Sequence, residues 1–349
     1  MQDLEIWRRA EIAHNHGNRQ EAIALYSQLL GSPCYFLNAH VRIAALQPLQ
    51  QASAKPSLVW RVAEKFPIVR QALANVEFKE ELIEYNPDVS FGHQYDSSPQ
   101  CMVCVDWRVN EASSLNYYLQ ARRSGCRMIL FHLSDENFMD YHLLYPLFQK
   151  VFRQYGGQLV ETYKNVHLFP SAGAELSWSF PDIAAQAKSG SRRFAWNFLG
   201  DDTKNDRREA LATFQDLKEP FIFTVSDFFD ARKMPKEEYL RALSQSVFTL
   251  CPMGYTHVET MRFWEALECG SIPLFAHPQH ANYYAQYFGG SGFPLPIFAS
   301  WAQALSYAKA LLNDTVNLQQ VFHRVQDWWG TYKSQLSQHF QTTLKEAWA

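Results

Sequence analysis

Residues 247–276 constrain the fold of this chain more than any other segment. The apolar run at 247–250 is typical of a buried strand, and it is followed by a loop that contains a proline and a glycine. We predict a helix over 258–269, ended by Gly270, and a second buried strand over 272–276. A strand, a helix and a second strand in this order form the repeating unit of a parallel sheet covered by helices.

The predicted helix carries two charged residues, Arg262 and Glu265, which are three positions apart and therefore lie on one side of it. Its N-terminus, near 256–259, is expected to point out of the carboxyl edge of the sheet, where phosphates bind readily. A guanidinium can pair with a diphosphate, and a carboxylate can accept hydrogen bonds from ribose hydroxyls. The segment therefore predicts a nucleotide-sugar site.

The same segment resembles the donor-binding domain of the exostosin-like glycosyltransferases. That domain carries a strand, a Pro-x-Gly loop and an Arg-hydrophobic-x-Glu-Ala-Leu-x-x-Gly-x-Ile-Pro unit. The matching positions here are Pro252, Gly254, Arg262, Glu265, Ala266, Leu267, Gly270, Ile272 and Pro273. Weaker matches lie at 194–208 and at 129–136 together with 151–155. The resemblance implies an α/β fold of GT-B architecture, with two Rossmann-like domains facing a cleft. It also implies that Glu265 accepts ribose hydroxyls and that Gly254 belongs to the donor site.

The donor diphosphate is expected to be stabilised by cations and backbone amides, because the chain has no Asp-x-Asp motif to hold a metal. The candidate cations are Arg262, Lys204 and Arg207, and we expect no cofactor or metal. Lys204 and Arg207 could equally be solvated. Glu259 and Thr260 complete the predicted donor site, although Glu259 could be only a favourable charge at the helix N-terminus. Arg262 and Glu265 could also form a structural ion pair.

An inverting transfer needs a base that deprotonates the acceptor hydroxyl. Asp135 and Glu136 follow the predicted strand 128–133 at its carboxyl end, where functional loops of α/β sheets lie. We predict Asp135 first and Glu136 second as the catalytic group. The alternative is that Ser134 and Asp135 cap a helix.

Composition excludes several classes of function. The formal net charge of −3 and the absence of a basic block argue against a nucleic-acid partner. No apolar run is long enough to span a membrane, and we expect a cytoplasmic protein. Cys101 and Cys104 have metal-ligand spacing, but residues three apart in a strand point to opposite faces, so we predict core cysteines.

Periodicity along the chain predicts four parts. A helical segment over 1–55 has the small-residue and glycine-turn pattern of a tetratricopeptide-like hairpin and is a possible docking surface for a protein partner. The other three parts are an N-terminal Rossmann-like acceptor domain at 56–188, a C-terminal Rossmann-like nucleotide-sugar domain at 189–314 and a helical tail at 315–349 that crosses back. We predict an interdomain hinge at 186–193. The same patterns predict a helix over 141–155 and a strand over 295–298.

We therefore predict a metal-independent, inverting glycosyltransferase. It would move a sugar from a nucleotide-diphosphate donor, with UDP favoured, to a hydroxyl of a glycan or a glycosylated carrier. The alternative is a non-catalytic nucleotide-binding protein that uses its N-terminal helices to dock a partner. A dehydrogenase is disfavoured because the chain lacks the Gly-x-Gly-x-x-Gly fingerprint.

Overall fold

The computed structural model describes a chain that divides into two compact units. The described residues are 2–49, 57–61, 100–107, 112–140, 142–171, 180–188, 191–227, 230–276, 283–289 and 292–348. Of these, the first unit holds the residues up to Leu168 and those from Phe340 onward, and the second unit holds Phe169–His339. The chain thus enters the second unit ahead of the predicted boundary at 188/189.

Three helices open the first unit: Gln2–Asn15, Arg19–Ser27 and Phe36–Ala45. Small alanines at their contacts are buried, which lets the helices approach closely around the fully buried Tyr26 ring. Arg122 attaches the third helix to the rest of the unit, because its guanidinium donates to the carbonyls of Ala45 and Gln47. The predicted helices are present, and the tetratricopeptide-like assignment stays a prediction.

A parallel sheet of five strands, in the order β1-β2-β3-β4-β5, forms the centre of the first unit. The strands are β1 (Ser57–Arg61), β2 (Cys101–Asp106), β3 (Arg127–His132), β4 (Lys150–Arg153) and β5 (Val166–Leu168). Every residue of β2 is buried, as expected for an inner strand of a parallel sheet. Cys101 and Cys104 lie in this core as free thiols, as predicted.

The predicted helix over 141–155 is wrong. A short 3-10 helix, His142–Leu147, contains Pro146, and strand β4 follows it. Proline lacks the amide hydrogen that would continue a helix, so the segment breaks there. Val151 and Phe152 are instead buried in the sheet. The other helices of the unit are Ala112–Arg123 and Gln158–Glu161.

A second parallel sheet, in the order β7-β6-β8-β9, forms the centre of the second unit. Its strands are β6 (Phe194–Asp201), β7 (Pro220–Val225), β8 (Ser246–Leu250) and β9 (Ile272–Leu274). The helices of this unit are Pro181–Lys188, Arg207–Phe214, Lys236–Ser244, Met261–Glu268, Trp301–Leu312 and most of Thr315–Trp348, with a π-helical turn at Ala285–Gly289. The predicted strand at 295–298 is reduced to one bridge between Ala276 and Phe298.

The long helix Thr315–Trp348 contributes to the cores of both units. Trp329 is buried in the second unit beside Trp264, and Phe340 packs against Phe131 and Phe152 in the first. Two parallel sheets with helices confirm the predicted α/β fold class with two Rossmann-like units. Among the described residues, none of the helices combines the length and the apolar character needed to cross a membrane.

The segment predicted as a hinge, 186–193, is anchored within the second unit where it is described. Arg192 donates to the carbonyls of Gln186, Ala187, Ser244 and Gly270. These carbonyls lie at or near helix ends, where they lack partners along the helix. Such anchoring does not favour a hinge at this point.

Candidate functional site

Two loops at the carboxyl ends of the neighbouring strands β6 and β8 are joined by hydrogen bonds. The Asp206 carboxylate accepts from the backbone N–H of Met253 at 3.0 Å, and the Asn205 amide donates to the Gly254 carbonyl at 2.6 Å. Asn205 has a positive φ of 50°, which an asparagine tolerates better than most residues. The two loops therefore form one polar platform at the predicted edge of the sheet.

Arg262 lies next to Gly200, near the carboxyl end of β6, and is 8% exposed. Its Nε and Nη2 donate to the Leu199 carbonyl at 3.0 and 2.6 Å, and its guanidinium lies 4.8 Å from the centroid of the Phe198 ring. Among the described residues, its buried Nη1 has no hydrogen-bond partner. A buried charged donor without a partner costs free energy, and an anionic ligand that reaches it would remove that cost.

Gly200 makes room for this guanidinium. Its φ is +127°, and a Cβ at this position would lie 2.8 Å from Nη2 of Arg262. A side chain here would meet both backbone strain and a steric clash with the charged group. Glycine at 200 therefore fixes where the Arg262 guanidinium can lie.

We expect Gly200→Ala to lower the stability by about 1–3 kcal/mol through the strained φ, and to weaken nucleotide binding by displacing the Arg262 guanidinium. Gly330→Ala is the matched control, because Gly330 lies in a helix and a Cβ there meets no atom within 4 Å. Thermal unfolding and calorimetry with UDP measure the two effects. Nucleotide affinity equal to that of the control would contradict the role of Gly200.

The Glu265 carboxylate, which was predicted to be available to a ligand beside Arg262, already has a partner within the protein. It accepts a hydrogen bond of 2.6 Å from the Tyr239 hydroxyl, and burial raises its pKa. Burial, together with the Glu265 charge, also raises the pKa of Tyr239 well above its ordinary value. Both predicted donor ligands thus contact protein groups. The predicted ribose contact of Glu265 stays a prediction.

Glu259 is a structural anchor at the start of the Met261–Glu268 helix. It is 1% exposed and accepts hydrogen bonds from the Ser171 amide, the Trp264 indole and the Tyr283 hydroxyl, at 2.6–2.8 Å. Both of its carboxylate oxygens are engaged, so we do not retain its donor contact. Thr260 is also buried, and its amide donates to the Tyr284 hydroxyl at 3.0 Å.

Lys204 and Arg207 differ in what they leave accessible. The Lys204 side chain is 32% exposed, with its Nζ 3.1 Å from Asp201 and 4.4 Å from the ring centroid of the exposed Tyr255. Arg207 is buried and donates to the carbonyls of Asp201 and Met253. The phosphate role therefore suits Lys204, whereas Arg207 holds the two loops together.

In the first unit, Asp135 lies at the carboxyl end of β3, as predicted, but it is not a free base. Its Oδ2 is 2.8 Å from Nε2 of His142 and 3.0 Å from Nη2 of Arg153, and its Oδ1 accepts from the Met139 amide. Burial alone would raise the pKa of Asp135, but the hydrogen bond from His142 and the Arg153 charge hold it well below its usual range. Such a carboxylate is a weak base, so we do not retain Asp135 in that role. Glu136 is partly buried, and its role stays a prediction.

His132, Asp135 and Asp140 present ligand atoms within 4.8 Å of one another. The His132 ring is fully buried, with Nε2 2.7 Å from Asp140 and Nδ1 2.6 Å from the Tyr145 hydroxyl. Burial lowers the pKa of His132. The Arg153 guanidinium lies 3.1 Å from Nδ1 and would repel a metal cation. The donor set fits hydrogen-bonded pairs better than a metal centre.

Sequence reasoning missed His142 and Arg153 as members of this cluster. Arg153 lies in the segment 151–155 that matches the exostosin-like pattern, which is a signal that could have identified it. No sequence motif pointed to His142, because it lies outside the matching segments and in a stretch that was predicted as a helix.

Comparison with known proteins bears on the second half of the chain. Residues 178–349 match the family described as the RXYLT1 C-terminal domain. A zebrafish (Danio rerio) protein named ribitol-5-phosphate xylosyltransferase 1 is 25% identical over 182 residues, which are 47% of this chain and 41% of that protein. The sequence comparisons support a glycosyltransferase. The exostosin-like subtype stays a prediction.

Several solved glycosyltransferase structures are similar to this chain at low identity. An α1,3-fucosyltransferase has a TM-score of 0.44 at 13% identity, over 85% of this chain and 95% of its own. An O-GlcNAc transferase of Thermobaculum terrenum has a TM-score of 0.46 at 9% identity, over 99% and 83%. T4 phage BGT, in complex with its UDP-glucose substrate, has a TM-score of 0.44 at 11% identity, over 84% and 99%.

Proposed function

We propose that this chain is a glycosyltransferase that moves a sugar from a nucleoside-diphosphate donor, with UDP favoured, to a hydroxyl of a glycan or a glycosylated carrier. The family match at 178–349 supports the class of reaction. The observation that carries the donor site is the buried Nη1 of Arg262, which has no partner among the described residues; the guanidinium lies at Leu199 and Gly200, near the carboxyl end of β6.

The proposed site stabilises a diphosphate leaving group with fixed positive charge. Arg262 supplies a buried guanidinium that is already oriented by the Leu199 carbonyl. Lys204 supplies a second, more accessible cation on the platform. Preorganised cations of this kind stabilise the negative charge that develops as the bond to the sugar breaks. We propose inversion at the anomeric carbon, with the acceptor hydroxyl attacking opposite the diphosphate.

Calorimetry with UDP and GDP, followed by a turnover assay with a panel of UDP- and GDP-sugars and glycan acceptors, tests this function. We expect one nucleoside diphosphate to bind and the corresponding sugar to be transferred. Binding without transfer to any acceptor would favour the non-catalytic alternative. If neither nucleotide binds, the proposed function is wrong.

We expect chelation to leave the transfer rate unchanged, because the proposed leaving-group stabilisation comes from Arg262 and Lys204. The measurement is the rate in EDTA compared with the rate in added Mn²⁺ or Mg²⁺, after dialysis against the chelator. A strict requirement for either ion would overturn the metal-independent part of the proposal.

The proposal also concerns the acceptor, a protein partner and the location of the protein. The zebrafish relative is named for transfer to a ribitol phosphate. By analogy, phosphorylated carriers belong in the acceptor panel. The N-terminal helices expose Leu4, Ile12 and Phe36, which supports their predicted use as a docking surface. The cytoplasmic location stays a prediction.

A further inference from the structure

We propose that Tyr255 is the residue on which the base of the nucleotide donor stacks. This inference rests on the proposed transfer from a nucleoside diphosphate, and it adds a contact for the base to the cations proposed for the phosphates. None of the residues predicted from the sequence was assigned to the base. All of the residues that carry the inference belong to the second unit.

Tyr255 lies in the loop after β8, at the point where the strand order of the sheet reverses. The chain continues from β6 to β7 on one side of the sheet and from β8 to β9 on the other side. The connections that follow β6 and β8 thus lead in opposite directions. Ligands of open α/β sheets bind at such a point, outside the carboxyl ends of the strands. The location of Tyr255 therefore fits a ligand contact.

The Tyr255 ring is exposed on a fixed backbone. Tyr255 is 57% exposed, whereas every other phenylalanine, tyrosine and tryptophan described in the second unit is buried or partly buried. The Asn205 amide donates to the Tyr255 carbonyl at 3.1 Å and to the Gly254 carbonyl at 2.6 Å, which attaches this loop to the loop after β6. A flat ligand that covers the ring therefore gains apolar contact without having to order the loop.

Lys204 connects the ring to the groups proposed for the phosphates. Its Nζ lies 4.4 Å from the centroid of the Tyr255 ring and 3.1 Å from the Asp201 carboxylate. The first contact is a cation–π interaction, which helps to orient the ring. Asp201 directly follows Gly200, beside which the Arg262 guanidinium lies. Contacts thus lead from a buried cation to an accessible cation and then to an exposed ring. A nucleoside diphosphate likewise has phosphates at one end and a flat base at the other.

The surroundings of the ring favour a base as its ligand. The Lys204 ammonium lies over the ring, and among the residues that the structure describes no second aromatic ring contacts Tyr255. Every nucleobase has a π face that can stack on an aromatic ring, whatever its hydrogen-bonding pattern. We take uracil as the occupant, since UDP is the favoured donor. The transferred sugar is the alternative occupant, and the test separates the two.

The test compares Tyr255→Ala with two other variants. Tyr255→Phe keeps the ring, and Ile222→Ala is the matched control, because it removes an exposed apolar side chain of β7 in the same unit. We expect Tyr255→Ala to weaken the binding of UDP and of uridine by the same factor, roughly 5- to 150-fold. Affinity for inorganic pyrophosphate, which has no base, should be unchanged. Tyr255→Phe should bind UDP as the wild type does. Titration calorimetry measures each affinity.

The series of ligands separates the possible roles of the ring. Weaker binding of pyrophosphate by Tyr255→Ala would show that the ring acts through Lys204 or through the fold, and a loss confined to UDP-sugars would assign the ring to the transferred sugar. An equal loss in Tyr255→Phe would assign the contact to the hydroxyl. Each of these results would overturn stacking on the base.

The inference and the proposed function fail in different ways. Wild-type protein that binds neither UDP nor GDP would refute the proposed function itself. Wild-type protein that binds UDP, together with an affinity of Tyr255→Ala equal to that of Ile222→Ala, would refute this inference alone.

Discussion

Arg262→Ala is expected to weaken UDP binding roughly 10- to 150-fold, which corresponds to about 1.5–3 kcal/mol for a hydrogen bond to a charged group. The reason is the geometry of the guanidinium. Two of its nitrogens are held by the Leu199 carbonyl, so a ligand that contacts the third does not incur the loss of side-chain freedom that a mobile arginine would suffer. Titration calorimetry with UDP measures the change.

The substitution also removes a structural contact, and the experiment has to separate the two effects. Loss of the guanidinium leaves the Leu199 carbonyl without this donor, and we expect a lower unfolding temperature. The same calorimetry with uridine, which lacks phosphates, provides the control. Uridine affinity should be unchanged in the folded variant. Equal losses for uridine and UDP would show that Arg262 acts only through the fold.

Local sequence patterns predicted the central parts of the fold. The run at 247–250, the loop and the helix that carries Arg262 are determined within one stretch of chain, and the structure places them as expected. The helix begins at Met261 rather than 258, because Thr260 adopts an extended conformation at its N-cap. Boundaries of this kind depend on contacts such as that of Thr260 with Tyr284.

Local sequence patterns did not predict the roles of the charged residues. Glu259 looked like a ligand at a helix N-terminus, but its partners Ser171 and Tyr283 come from distant parts of the chain. Asp135 was correctly placed at the end of a strand, but Arg153, which lowers its pKa, belongs to a strand that was predicted as helix. Charge and burial at a site are set by tertiary neighbours, which a one-dimensional pattern does not contain.

Arg153→Met is expected to lower the stability by about 3–5 kcal/mol, the usual cost of leaving one partner of a buried ion pair alone. Arg153 is completely buried, and it donates to the Asp135 carbonyl, the Tyr155 carbonyl and the Tyr145 hydroxyl. Urea unfolding followed by tryptophan fluorescence measures the loss. Arg232→Met is the matched control, because Arg232 pairs with Asp230 through an exposed side chain, and we expect little change there.

The buried pair also gives stability a definite pH dependence. The pKa of Asp135 is lower in the folded protein than its ordinary value of 3.8. The unfolded chain therefore binds this proton first as the pH falls, so the contribution of Asp135 is complete above about pH 4 and is lost below it. We expect Asp135→Asn to flatten this acid decline. Combining it with Arg153→Met should cost less than the sum of the two single substitutions, since each removes the other's partner. Additive losses would contradict a direct interaction between the two groups.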